Sequence, residues 1–341
     1  GLGRTGNPLV KYQTGMANIM AHLEPLVTVG VTCYNAEETI ERAVNSALTQ
    51  KWQNLEVLVV DDASSDLSRS ILEHLSEGDR RLRLIHHKNN VGAAAARNTL
   101  INEATGEFLV FFDDDDVSDP ERIALQQARI ERYEKETGER IVACYASGKR
   151  CYPNGYTIDL DAIGSKGNTL TGEIVTNYIL FNGRKNGYFY GSGTPTCSLM
   201  ARREVFLSIG GFDPNFRRVE DMDFAIRLSL IGGHFIGCPE SLFTQYSTIS
   251  VDKSPEANFK SESKLLEKYR HYLEQRNRYH YAKNWFLVRY HHFRGAHFQM
   301  LMALFSAWVR HPILVSRHFI SSAPRRLIHE LKMSKLLGKI S

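Results

Sequence analysis

Cysteine is scarce and solitary in this chain. Five occur in 341 residues (Cys33, Cys144, Cys151, Cys197 and Cys238), and none forms a Cys-x-x-Cys pair. An odd number of scattered thiols argues against a disulfide framework and a zinc site, and fits a reducing cytosol. No Gly-x-Gly-x-x-Gly follows the first apolar segment, which argues against an NAD-dependent oxidoreductase. Long hydrophobic runs are missing as well. The run at 300–309 is interrupted by Arg310, His311 and Pro312 and is too short to span a bilayer. There is no internal repeat, no low-complexity segment and no signal-peptide pattern before the first strand. The opening residues 1–24, rich in Gly and Asn, read as a flexible N-terminal arm. Acids are rare at the other end. Residues 310–341 hold seven Lys/Arg against the single acid Glu330, so the tail supplies more than the whole net charge of +4. Hydrophobic content of 43% and charged content of 23% are those of a globular protein.

What is present is an alternation of strand and helix. Apolar runs at 26–31, 55–60, 82–85 and 108–112 read as strands. Between them, residues 37–49, a segment opening at Ser64 or Ser65, and the alanine-rich 93–104 read as helices. This rhythm predicts a mostly parallel sheet with right-handed crossovers. From residue 141 the pattern changes to a strand over 141–152, a hairpin turn at Pro153-Asn154-Gly155 and Gly-rich loops up to Gly193. A core strand at 197–200 and a helix at 222–231 follow, and beyond about residue 261 the chain reads as helical.

The run Phe111-Phe112-Asp113-Asp114-Asp115-Asp116 is the most informative feature. Four adjacent carboxylates repel one another unless something positive sits among them. A divalent cation with a preference for oxygen ligands, Mg²⁺ or Mn²⁺, answers that need. A solvated acidic loop, or caps for the helix after Pro120, is the plainer reading; Asp119 is expected to be such a cap. The acids end a strand, where open α/β sheets bind ligands. Three other turns follow strands and gather on the same edge: Thr32-Cys33-Tyr34-Asn35, Asp61-Asp62-Ala63-Ser64-Ser65-Asp66, and residues 89–98. A Thr hydroxyl and a Tyr ring can hold a base, Asp62 can accept from it, and Arg97 can pair with a diphosphate. Farther on, Glu220-Asp221 opens a helix after Gly210-Gly211-Phe212-Asp213; this is either N-terminal helix charge or a catalytic acid pair.

In order and spacing these motifs resemble the inverting family 2 glycosyltransferases of GT-A fold over about residues 25–250. The resemblance implies a Rossmann-like, mostly parallel sheet flanked by helices. It divides the chain into a catalytic domain at 25–255, with a nucleotide-binding half (25–120) and an acceptor-binding half (121–255), and a basic helical C-terminal extension at 256–341. It implies that Thr32, Tyr34, Asp62, Arg97 and Asp114 bind the donor, with Asp62 on the base and Arg97 near the diphosphate. Asp113 and Asp115 are then the metal pair for Mn²⁺ or Mg²⁺, Asp116 supports the loop, Asp221 is the general base and Glu220 binds the acceptor. The implied partners are a nucleotide-sugar, UDP-linked, and a saccharide or lipid-linked acceptor. The His or Arg that many relatives carry after the last core strand is replaced here by Tyr246-Ser247-Thr248-Ile249-Ser250. His234 is nearby, though a lone His is more often structural. No Gln-x-x-Arg-Trp occurs, so the resemblance points to single additions rather than processive synthesis.

Two other readings stand beside this one. A nucleotidyltransferase that makes sugar nucleotides needs a Gly-rich loop with Arg or Lys after the first strand, where Thr32-Cys-Tyr-Asn stands instead. A degenerate binding subunit would not need the acids, which are intact. The basic tail at 310–341 fits either contact with an anionic membrane at its cytoplasmic face or a solvated or partner-bound helix. Nucleic acid is not expected, since no recognised binding motif accompanies the charge.

Overall fold

The computed structural model describes residues 24–247 and 254–337. The arm at 1–23 and part of the Tyr246–Ser250 segment lie outside the described residues. Strands β1 (Val27–Cys33), β2 (Leu55–Asp61), β3 (Leu82–His86) and β4 (Phe108–Asp113) are parallel and adjacent in the order β3-β2-β1-β4. Helices α1 (Ile40–Leu48), α2 (Ser68–Gly78) and α3 (Ala93–Glu103) connect them. The parallel strands are buried on both faces, which is why they read as continuous apolar runs.

The sheet then continues with mixed strands. Short β5 (Val117–Ser118), long β6 (Val142–Cys151), β7 (Thr157–Leu160), β8 (Leu170–Thr171), β9 (Leu199–Arg202) and β10 (His234–Tyr246) complete it. Its order is β3-β2-β1-β4-β9-β6-β10-β5, with β7 on β6 and β8 on β10. β9 is antiparallel to both β4 and β6. It seals the edge of the parallel half, so the two halves of the sheet are continuous. The helices here are α4 (Arg122–Thr137), α5 (Glu173–Phe181), α6 (Arg203–Ser208) and α7 (Glu220–Leu230).

Alternate strand residues feed two cores. Val29, Val31, Val57, Val59, Val110 and Phe112 pack with Ile40 of α1, Leu72 of α2 and Ile123 of α4. Leu58, Val60, Leu109 and Phe111 pack with Leu100 of α3, Phe206 of α6 and Phe224 of α7. This is the mostly parallel, helix-flanked α/β sheet that the sequence predicts.

Two local expectations are corrected. Neither Ser64 nor Ser65 caps α2. Asp66 accepts from the Ser68 N–H and Glu37 from the Leu67 N–H, and the helix starts at Ser68. The two serines latch the first turn instead, exchanging hydrogen bonds with Asn35. The expected strand at 197–200 is displaced, because Thr196–Ser198 is a single 3₁₀ turn and pairing begins at Leu199. The Asp119 carboxylate does accept from a backbone N–H at the start of α4, that of Glu121.

Beyond β10 lie α8 (Pro255–Lys268), α9 (Arg270–Gln275), α10 (Tyr279–Phe293), α11 (His297–Arg310) and α12 (Pro312–Leu337). Ser254 and Pro255 start α8 as N-cap and first residue. Leu265, Leu273 and Phe286 share a core with Leu180 of α5 and Ile226 of α7. In α11, Ala303 and Ala307 turn inward, while Phe298, Leu301, Met302, Phe305, Trp308 and Val309 are exposed. Among the described residues no helix is long and apolar enough to cross a membrane.

Candidate active site

The four strand-end turns meet at the C-terminal edge of β1–β4 and line a cleft of about 640 Å³. Thr32, Tyr34, Asp62, Arg97, Asp113, Asp114, Asp115 and Glu220 all lie on its wall. Tyr34 is exposed, and its ring is available for stacking. Its N–H donates to the Asp114 carboxylate at 3.1 Å, which ties the first turn to the acid run.

Asp62 is buried and already engaged. Its carboxylate accepts from the Val91 and Gly92 N–H groups at 3.1 and 2.8 Å and meets His87 Nδ1 at 2.7 Å. It therefore shapes the small-residue turn that leads into α3. Gly92 adopts φ +92°, and a Cβ there would stand 3.3 Å from the Arg217 side chain. The positive φ is what calls for glycine, since the Arg217 side chain can shift.

Among the described residues three cations meet the acid run, one of which, Arg42, donates to the Asp115 carbonyl at 2.7 Å. On the cleft side Arg97, buried, donates to Glu220 Oε1 at 2.6 Å and lies 3.7 Å from Asp113 Oδ1. Burial disfavours its charge, but Glu220 and Asp113 more than offset this, and its pKa rises. Behind the run Arg122 is fully buried, with its guanidinium 4.4 Å from the Phe112 ring centre. It donates to the Phe111 and Cys197 carbonyls at 3.0 and 2.7 Å. Burial lowers its pKa to about 10, so it stays charged at neutral pH. Burial, then neighbouring carboxylates, raises Asp114 to about 7 and Asp116 to about 8. Burial also raises Asp113 despite Arg97.

Asp116 departs from its three neighbours. It accepts from the Tyr246 N–H at 3.2 Å, while its Oδ2 is buried with no hydrogen-bond partner. Ligand atoms of Asp113, Asp116 and Cys197 fall within 4.8 Å of one another. Burial holds the Cys197 thiol far up and protonated. The oxygens of this set suit a hard cation and the sulfur does not.

Glu220 and Asp221 open α7, where the helix dipole favours both charges. Val219 just before them has φ +61°, an uncommon conformation for a β-branched residue. That turn aims the two neighbouring acids differently. Glu220 lines this cleft, whereas Asp221 lines a separate groove of about 880 Å³ against α5, α10 and α12. Asp221 accepts from the Met222 N–H at 2.8 Å. Burial, then the Glu220 charge, raises its pKa to about 6.

Sequence reasoning missed Arg122, Arg217 and Arg218. The last two line the cleft from the loop before α7. Their only signal was adjacency to Glu220-Asp221. Asn98 gains a reason as well: its side chain pairs with both the N–H and the C=O of Phe212, at 2.7 and 2.8 Å. Gly211 beside it has φ +67°, and a Cβ there would lie 2.3 Å from Asn98 Oδ1. The clasp holds the Gly-Gly-Phe-Asp turn on α3. His234 is structural: it meets the Tyr133 hydroxyl at 2.7 Å on the far end of β10.

A sequence profile described as glycosyl transferase family 2 matches residues 28–206, more than half of the chain. The chain belongs to glycosyl transferase family 2. Among similar proteins, an uncharacterized glycosyltransferase of Haemophilus influenzae is 28% identical over 209 residues, 61% of each chain. The Escherichia coli protein named UDP-Glc:alpha-D-GlcNAc-diphosphoundecaprenol beta-1,3-glucosyltransferase WfgD is 40% identical over 101 residues. That match covers 30% of this chain and 39% of WfgD, so the shared region is under two thirds of either relative. Staphylococcus aureus TarS residues 1–349, solved with UDP-GlcNAc, superposes with a TM-score of 0.56 at 21% identity. It covers 82% of this chain and 79% of that one. This family 2 chain therefore has the GT-A fold expected from its motifs.

Proposed function

We propose that the protein is a metal-dependent, inverting glycosyltransferase that moves a sugar from a UDP-sugar to an acceptor hydroxyl in polysaccharide or glycolipid assembly. The observation that carries this reading is the division of labour at the start of α7, with Glu220 in the donor cleft and Asp221 in the groove beside it. A base that removes a proton from an acceptor belongs on the acceptor's side of the donor, and the position of Asp221 in a groove separate from the cleft supports that role. A pKa of about 6 leaves it ionised at neutral pH yet more basic than an ordinary carboxylate. One base and one in-line displacement invert the anomeric centre.

The donor is held by residues of the cleft. Tyr34 stacks on the base beside Thr32, and Asp62 meets it through the turn it anchors. Asp114 faces the ribose or sugar. Arg97, with Arg217 and Arg218, supplies positive charge to the diphosphate. Glu220, one oxygen of which is engaged by Arg97, contacts the acceptor from the cleft. The acids fit a divalent cation: four carboxylates crowd one strand end, and Asp116 Oδ2 is buried with no hydrogen-bond partner among the described residues. Asp113 and Asp115 face the cleft and would hold Mn²⁺ or Mg²⁺, which offsets charge on the departing diphosphate.

TarS solved with UDP-GlcNAc, and the name of WfgD, support a UDP-sugar donor. We also place the protein at the cytoplasmic face of a membrane. Between residues 275 and 341 twelve Lys/Arg stand against the single acid Glu330. The exposed apolar stripe on α11 lies within that stretch. An anionic lipid surface complements both the charge and the stripe.

A panel of nucleotide-sugars, each with Mn²⁺ and assayed for binding and nucleotide release, tests the reading. A UDP-sugar should bind and turn over. Pyrophosphate release from a nucleoside triphosphate and a sugar phosphate, with no UDP-sugar turnover, would establish the nucleotidyltransferase instead.

A further inference from the structure

The groove that Asp221 lines has a chemistry of its own. One wall comes from the catalytic half, through the end of α5, residues 192–195 and Met222; the other comes from α10 and α12. Its surface is dominated by Phe181, Trp285, Phe293, Phe319 and Leu327. Phe293, Phe319 and Leu327 remain exposed, an arrangement that costs free energy in water unless a ligand covers it. The volume of about 880 Å³ is that of a small-molecule site rather than a packing defect.

The charges in the groove are unequal. Arg289 pairs with Glu262 at 2.9 Å, and Arg326 pairs with Glu330 at 2.6 Å. Arg150 instead donates to the neutral Gln245 side chain at 2.7 Å, and among the described residues no acid pairs with it. The groove thus offers a long apolar wall, a guanidinium that no acid among the described residues matches, and the carboxylate assigned as base. Met300, in the first turn of α11, also lines it, so the groove adjoins the apolar stripe.

We propose that this groove binds an amphiphilic acceptor, its hydrocarbon chain against α10 and α12, its phosphate toward Arg150 and its hydroxyl at Asp221. The proposal rests on the transferase reading, since it names the acceptor class for that same base. A soluble saccharide would leave the aromatic wall uncovered, and a plain hydrocarbon would leave Arg150 without an acidic or anionic partner among the described residues. The C-terminal helices are thereby part of the acceptor site.

Trp285 in the groove reports on occupancy. A variant keeping Trp285 alone (W52F/W308F) and one keeping Trp308 alone (W52F/W285F) are titrated with a terminally brominated dodecyl phosphate below its micelle concentration. Saturable quenching of Trp285 is expected. Adding Phe319→Glu and Leu327→Glu, both at exposed positions, should weaken it at least tenfold, while Phe319→Leu with Leu327→Met should retain it. Quenching confined to Trp308 would place the chain on the α11 surface and overturn the proposal. So would quenching of Trp285 that the two Glu substitutions leave unchanged. UDP titration of the same proteins reports on the donor cleft separately, so failure of the donor reading is not mistaken for failure of the groove.

Discussion

Arg97 and Glu220, 123 residues apart in sequence, form a buried ion pair at 2.6 Å. The same guanidinium lies 3.7 Å from Asp113. One side chain thereby joins α3, the end of β4 and the start of α7, the three places where the proposed donor, metal and acceptor chemistry meets. Its position follows from the order β1-β4-β9 in the sheet, which brings the acid run and the later helix to the same edge.

Removing Arg97 should therefore cost stability as well as activity. Breaking one side of a buried pair leaves an uncompensated charge, and Arg97→Met should destabilise the fold by about 3 kcal/mol. Glu220→Gln should cost less, and the double variant should recover part of the loss. Urea unfolding of the four proteins gives the coupling energy. Additive losses would show that the pair is not a stabilising unit.

Asp221 is tested through the separation of its groove from the proposed donor cleft. Asp221→Asn should lower kcat by about 10²-fold or more while UDP affinity stays within about twofold of wild type. For the wild-type protein the base works ionised, so kcat/KM should be level at neutral pH. It should fall as pH drops through about 6, tenfold per unit below that. Loss of UDP binding in Asp221→Asn would contradict the assignment, as would an acidic limb near pH 4.

The acid run makes a comparison possible between its two faces. Asp115→Ala should abolish the gain in UDP affinity that Mn²⁺ provides, measured by calorimetry with and without the metal. Asp116→Asn, on the side facing Cys197, should retain that gain. The reverse pattern would move the metal to the Asp113–Asp116 side, where the ligand atoms already cluster.

For the membrane, co-sedimentation with phosphatidylglycerol and phosphatidylcholine vesicles separates charge from apolar insertion. The protein should favour the anionic vesicles and lose binding as salt rises. Replacing Phe298, Phe305 and Trp308 by Ser should weaken binding to both. Equal partitioning of wild type and triple variant would remove α11 from the contact and leave the basic residues at 310–341 as the alternative.

Much of the site was legible because each donor-side residue follows a strong apolar strand. Thr32, Asp62 and Asp113 end β1, β2 and β4 or lie next to their ends, and parallel connectivity sends such ends to one edge whatever the side-chain detail. The role of Asp62 was harder to read. Its type suits a base contact, but its hydrogen bonds to Val91 and Gly92 depend on how the third turn folds back. Ser64 and Ser65 looked like caps because cap preference is local; contact with Asn35 in the turn after β1 overrode it. Arg122 was invisible because its burial beneath the acids comes from α4 lying under the sheet.

The sequence alone determined the alternation of parallel strands and helices, the shared edge of four turns and the need for positive charge at the acid run. These follow from short-range apolar periodicity and from like-charge repulsion. Tertiary structure alone decided that Arg97 and Arg122 meet part of that need. It also sent Glu220 and Asp221, adjacent in the chain, into different cavities, and made the C-terminal helices one wall of the second. The physical reason is that burial of Arg122 depends on how α4 packs under the sheet, the Arg97–Glu220 pair spans 123 residues, and the split of the two acids follows the turn at Val219; none of these leaves a local pattern in the chain.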